Sequence, residues 1–310
     1  MPAVRRYFTG LLTESHEPKR LKSIGRGWEA SIGRSRTANE NGFGGNSREI
    51  VITAASAATA QNALNLIKTV HELIEGAPDI HGGDFRVIPF DQLECRQLYP
   101  NDFFGWPTML KMSGFPEACE LAAKASQKRK YNYAIALYHV SRKLHANHPM
   151  DLHFDLRSRD IRSTEHHDHV RFGYSLVAAY AVLEQLGLAL NGPAFRDGKW
   201  IPEIRAELEN RLKRAGIDLT KPVIWHLRGG RTTLELRRKT QPLKKASWSG
   251  GRVRDEEVDV VDAIADLRWL RSGVAAHDVK ELARLLSVFD VLNAQLLARR
   301  CILACLGCEK

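Results

Sequence analysis

The sequence predicts a mainly α protein, in which a C-terminal helical bundle follows a smaller mixed α+β N-terminal region. Three observations lead there. Past about residue 113 the apolar residues recur at helical spacing in one segment after another. The opening stretch is rich in Gly, Ser, Asn and Arg, which is the chemistry of turns and short strands. The overall balance, 44% hydrophobic and 26% charged, is that of a globular chain with a core to bury. Two regions are therefore expected, 1–112 and 113–310.

In the first region the tetrapeptide SIGR occurs at residues 23–26 and again at 31–34, and is read as marking two turns of a small β region. Asn39-Glu-Asn-Gly-Phe-Gly-Gly-Asn-Ser47 is loop chemistry. Residues 54–75 form a helix by pattern, with Leu64, Ile67, Val70 and Ile74 on one face and Gly76 just past its end. Residues 85–90 suit a short strand, and Pro89 confines it to a sheet edge because proline cannot donate to a ladder.

The second region opens with one helix over 115–146, with Pro116 in its first turn. Four helices follow. The first covers 168–190, with Phe172, Leu176, Ala179, Leu183, Leu186 and Leu190 in a stripe and Asp168 as its N-cap. The second covers 201–216, with Ile204, Leu208 and Leu212 inward. The third covers 256–272, with Val258, Val261, Ile264 and Leu267 inward. The fourth covers 278–306, with Leu282, Leu285, Leu286, Phe289, Leu292 and Leu296 inward. Packed together, such faces make a helical bundle.

The net charge of +10 favours acidic partners such as nucleic acid. Most of the excess falls within 226–254, where Arg228, Arg231, Arg237, Arg238, Lys239, Lys244, Lys245, Arg252 and Arg254 stand against the single acid Glu235. This segment connects the second and third helices. Connections longer than about 15 residues are usually functional or disordered. With Trp225 and Trp248 it has the cation-plus-aromatic composition that suits single-stranded nucleic acid, and the alternative is a solvated loop. No apolar run reaches the roughly 18 residues of a membrane helix. The start of the chain lacks the form of a secretory signal, and the five cysteines form no regular framework. The expectation is a cytoplasmic protein without a membrane partner.

The candidate catalytic feature is Arg271-Ser-Gly-Val-Ala-Ala-His277, between the third and fourth helices. Gly273 is read as the residue that stops the third helix, and Asp278 with Glu281 as a capping box that opens the fourth. On one continuous helix the two side chains would stand about 120° apart, whereas a turn lets them converge. RNA cleavage by internal transesterification needs a base for the 2′-hydroxyl proton, for which histidine is suited. It also needs positive charge on the phosphorane oxygens, for which arginine offers a planar fork of donors. Neither task needs a metal or a cofactor. The alternative is an ordinary arginine at a helix end and an ordinary loop histidine.

The stretches Tyr174-Ser-Leu-Val-Ala-Ala-Tyr-Ala-Val-Leu-Glu184 and Leu270-Arg-Ser-Gly-Val-Ala-Ala-His277 resemble the HEPN superfamily, whose first and fourth helices flank an Arg-x(4–6)-His junction. The likeness covers roughly 168–306. It implies a dimerising helical bundle in which Arg271 and His277 form a metal-independent ribonuclease site, with Glu184 facing that site from the first helix. Read without the resemblance, Glu184 is a solvated or core-boundary residue. The family often has Asn, Asp or His after the arginine, and here the residue is Ser272, a departure that bears on activity more than on fold. The resemblance further implies a homodimer with RNA as partner, a further protein subunit in some assemblies, and a toxin or antiviral-defence role.

Other features carry other readings. His166-His167-Asp168-His169 resembles the His-Asp pair of HD-type metal phosphohydrolases, centred on His167 and Asp168. The plainer reading is a charged helix start. Cys301, Cys305 and Cys308 share one helical face and read as core packing. Tyr131, Tyr133 and Tyr138 read as helical packing. A non-catalytic RNA-binding or scaffold subunit is the remaining alternative.

Overall fold

The computed structural model describes residues 4–13, 21–34, 48–76, 87–89, 110–111, 114–146, 166–227, 233–234, 244–245, 255–275 and 286–308. Those residues are mainly helical. The chain forms two compact units, Met1–Asn132 and Tyr133–Lys310.

The first unit is a sheet with helices on it. Strands β1 (Arg5–Thr13), β2 (Leu21–Gly25), β3 (Trp28–Arg34), β4 (Arg48–Ala54) and β5 (Ile88–Pro89) lie in the order β2-β3-β4-β1-β5, all antiparallel. A further short strand, β6 (Leu110–Lys111), runs parallel to β1. Pro89 is on an edge, as its missing N–H requires. The SIGR copies do not mark two turns. The first enters the β2–β3 turn at Arg26, and the second lies within β3. Their isoleucines face opposite ways, Ile24 being 65% exposed and Ile32 only 2%. Pairing across the turn sets Ile24 beside Glu29 and Ile32 beside Leu21, which puts the two on opposite faces of the pleat.

Helix α1 (Ala57–Glu75) lies on this sheet. Ser56 caps it by accepting the Thr59 N–H, and Gly76, at φ 71°, ends it. Leu64, Ile67 and Val70 are buried. The single helix expected over 115–146 is two, α2 (Phe115–Ser126) and α3 (Arg129–Ala146). The break has a local cause. Gln127 and Lys128 donate to carbonyls only three residues back, and the Ser126 hydroxyl donates to Ala123 O at 2.7 Å. Phe115, Ala118, Leu121 and Ala122 of α2 are buried against α1 and the sheet.

The second unit is built around α4 (His166–Leu186) and α7 (Val288–Cys305), which pack along each other. The expected stripe on α4 is buried throughout. The helix begins before Asp168, which is therefore inside it rather than its N-cap. It ends before Leu190 because Gly187, at φ 79°, turns the chain and lets Leu188 N–H reach Leu183 O at 2.8 Å. A short hairpin, β7 (Phe195–Arg196) with β8 (Lys199–Trp200), leads into α5 (Pro202–Arg214), whose Leu208 and Leu212 are buried.

The third bundle helix does not start at Glu256. Strand β12 (Glu256–Val258) pairs antiparallel with β9 (Val223–Trp225), and α6 (Val260–Trp269) follows. Between these paired strands two others, β10 (Thr233–Leu234) and β11 (Lys244–Lys245), form a small ladder inside the basic segment. Alternation explains the misreading, since Val258 is buried in either periodicity.

A buried polar cluster ties three helices together. Ser141 Oγ donates to Ser175 O at 2.8 Å, and Ser175 Oγ returns a bond to Ser141 O at 2.7 Å. Gln295 of α7 donates through Nε2 to Ser141 O and accepts from Arg142 Nη1 at 3.0 Å. Polar groups this deep stay only when satisfied, and these are. Among the described residues no helix is long and apolar enough to cross a membrane.

Candidate functional site

Helix α6 does not stop at Gly273. The backbone continues as a π-helical turn over Leu270–Ala275. Gly273 is not in the left-handed region, and the wider i→i+5 bonding carries the chain onward without a glycine cap. His277, Asp278 and Glu281 lie outside the described residues. The next described helix, α7, begins at Val288, and the expected start at Asp278 lies outside the described residues. Ser287, at φ −102° and ψ 163°, is extended and forms a capping box with Asp290. Asp290 Oδ2 accepts from Ser287 N at 2.8 Å, and Asp290 N donates back to Ser287 Oγ at 3.3 Å. An aspartate does here what the pattern assigns to Glu or Gln, so the box was easy to miss. Of the expected inward face, Leu286 and Phe289 are buried, and Leu282 and Leu285 lie outside the described residues. Leu292 and Leu296 are only half-buried, while Asn293 and Gln295 are buried, each making hydrogen bonds.

The π turn packs against α4. It brings Arg271 Nη2 to 3.5 Å from Glu184 Oε1, with the two side chains 40% and 44% exposed. The Arg271 guanidinium also lies 5.8 Å from the centre of the Tyr180 ring. Two of the three expected catalytic residues are thus neighbours. Tyr180 escaped the sequence reading, although it stands one turn before Glu184 on the same helix face. Its ring is buried and its hydroxyl donates to Leu190 O at 3.4 Å. Burial pushes that hydroxyl above the ordinary tyrosine range, with Arg268 and Arg271 pulling the other way. Tyr180 is therefore a neutral platform under the guanidinium. An ion pair this exposed is worth about 0–1 kcal/mol, so an incoming phosphate can compete with Glu184 for Arg271.

Of the expected RNA-binding residues, Lys244 and Lys245 lie on β11, and Arg228, Arg231, Arg237, Arg238, Lys239 and Arg252 fall outside the described residues. Trp225 is fully buried in β9 and cannot stack on a base. It closes the root of the basic segment instead, beside His226, whose backbone exchanges hydrogen bonds with Asn293 and whose ring meets Asp255 at 3.2 Å.

The remaining candidates change less. His166, His167, Asp168 and His169 are helical in backbone, and their side chains lie outside the described set. Among the described residues no group of three or more His, Cys, Asp and Glu is placed to hold a metal ion. Cys301 is buried on α7, but Cys308 lies beyond the helix end at Gly307, φ 82°, so the three thiols do not share one helical face. Burial pushes the Cys119 thiol up to about 12, which removes it as a nucleophile. Packing accounts for Tyr138, which is buried, and not for Tyr133, which is 56% exposed.

No protein-family model, curated protein or solved structure matches this chain.

Proposed function

We propose that the chain is a metal-independent endoribonuclease with a HEPN-like helical C-terminal unit, acting as a homodimer in a toxin or antiviral-defence role in the cytoplasm. Arg271 binds the scissile phosphate, His277 takes the 2′-hydroxyl proton, and Glu184 orients the guanidinium until RNA displaces it. O2′ attacks phosphorus as its proton passes to His277, the P–O5′ bond breaks, the 5′-oxygen takes a proton from solvent, and the products end in a 2′,3′-cyclic phosphate and a 5′-hydroxyl. The basic segment 226–254 supplies phosphate contacts.

One observation supports this reading most. Arg271 stands half-exposed on a π turn beside Glu184, above Tyr180, and such turns occur frequently at functional sites. The test is cleavage of labelled RNA in EDTA. Activity should persist there and fall by about 10²-fold or more in Arg271→Ala and in His277→Ala. EDTA-sensitive cleavage would point to the HD-like phosphohydrolase of His167 and Asp168 instead.

A second reading is favoured by the same ion pair. Arg271 already has a carboxylate, which suits a latch between the π turn and α4 in a non-catalytic RNA-binding subunit. That reading predicts salt-sensitive RNA binding that is unchanged in His277→Ala, and no cleavage.

A further inference from the structure

The N-terminal unit holds a cavity of about 300 Å³ that the proposed nuclease does not use. Three helices and a turn build it, α2 through Ser126 at its end. Helix α1 contributes Thr59 and Asn62 from its first turns, α3 contributes Arg129 and Asn132 one turn apart, and the β2–β3 turn contributes Arg26, with Trp28 behind it. The turn is held in place. Arg26 N donates to the buried Ser126 Oγ at 2.8 Å, Gly27 takes φ 79°, and the Trp28 indole lies so close over Gly25 that any Cβ there would collide with it.

The electrostatics of this cavity are one-sided. Among the described residues two arginines line it and no carboxylate does. Neither guanidinium has an acidic partner among the described residues. The first turns of α1 and α3 contain no acidic residue, so nothing on the helices offsets their positive N-terminal ends. Paired guanidinium groups match phosphate oxygens in geometry and charge. A second feature restricts the ligand further. Asn132 Oδ1 is buried and accepts no hydrogen bond among the described residues. A phosphate held between the two guanidinium groups turns its acceptors toward them, so the donor that meets this oxygen is best supplied by a body attached to the phosphate. The volume, at the lower end of the roughly 300–1,000 Å³ of small-molecule sites, admits more than a bare phosphate.

We propose that this cavity binds a phosphate monoester of mononucleotide size, with the phosphate between Arg26 and Arg129 and a hydroxyl or amino donor of the ester body meeting Asn132. A free mononucleotide and the phosphorylated end of an RNA strand both present that group. The site lies in the other unit from Arg271 and does not depend on the nuclease reading.

The test is calorimetric titration of the full chain with the four ribonucleoside 5′-monophosphates, the parent nucleosides, inorganic phosphate, and a 5′-phosphorylated tetranucleotide with its unphosphorylated twin. At least one monophosphate should bind about tenfold or more tighter than its nucleoside and than inorganic phosphate, and Arg26→Gln and Arg129→Gln should each weaken it about tenfold or more. Both arginines are exposed, so their variants should melt as the parent does; Lys124→Gln, whose exposed lysine pairs with Glu120 outside the cavity, should bind as the parent does. Binding of the phosphorylated tetranucleotide without any free mononucleotide supports the site and assigns it to strand ends. The proposal is overturned by three results: no phosphorylated ligand binds, inorganic phosphate binds as well as the esters, or binding ignores both arginine substitutions.

Discussion

Arg271 and the Arg26–Arg129 pair are surface arginines built on opposite plans. Arg271 has a carboxylate at 3.5 Å and an aromatic ring beneath it. Arg26 and Arg129 share a cavity lined by two amides, two hydroxyls, an indole and two apolar side chains, with no acid among the described residues. The difference teaches what a counter-charge does. A paired guanidinium is held in one orientation and releases its partner when a better anion arrives. An unpaired one is a standing attraction for anions, and its geometry must come from the walls behind it. Both plans therefore rest on rigid scaffolds, buried polar bonds in one unit and a glycine-dependent turn in the other.

The largest effect should come from removing the scaffold behind Arg271. Gln295→Ala strips partners from Ser141 and Arg142 inside the unit, and should cost about 2–4 kcal/mol in urea denaturation, because buried polar groups lose their bonds. A cost near zero would show that the cluster does not fix α4. Next is Gly25→Ala, where the new Cβ must displace the Trp28 ring. Overpacking of this kind should cost about 1–3 kcal/mol and should abolish monophosphate binding while leaving any RNA cleavage intact in the folded fraction. Unchanged monophosphate binding would mean that the indole does not set the cavity wall.

Asp290→Ala removes the acceptor of Ser287 N–H and should cost about 1–2 kcal/mol, read from the melting temperature, as caps do. Smallest in stability, and sharpest for the comparison, is Glu184→Gln. The exposed pair should contribute less than about 1 kcal/mol, yet releasing Arg271 should tighten RNA binding at low salt and leave monophosphate binding unaltered. If RNA binding weakens instead, Glu184 contacts RNA rather than holding its competitor.

Much of the fold was legible wherever a helix carried its own punctuation. Gly76 ends α1 where expected, although its start, read at residue 54, falls at Ala57 because Ala54 still belongs to β4, and the Phe172–Leu186 stripe of α4 is buried as its periodicity demands. Legibility failed where one residue type serves two roles. Gly273 looked like a stop and sits in a π turn, and Val258 fitted a helix face and belongs to a strand. Trp225 looked like a base-stacking residue and fills the core. Leu292 and Leu296 were read as inward and are only half-buried, because α7 buries polar side chains, and a pattern that counts only apolar residues cannot see a satisfied glutamine. Within the candidate site, Arg271 and Glu184 were named from the sequence, and Tyr180 was not.

Local chemistry, carried by neighbours three or four residues apart, determined where most helices run, which of their faces are apolar, and how strongly positive the chain is. It could not determine that Arg271 meets Glu184, or that Arg26 and Arg129, a hundred residues apart in the chain, line one cavity. Those meetings depend on how whole elements pack, and packing is decided by the summed burial and hydrogen bonding of many residues rather than by any spacing along the chain.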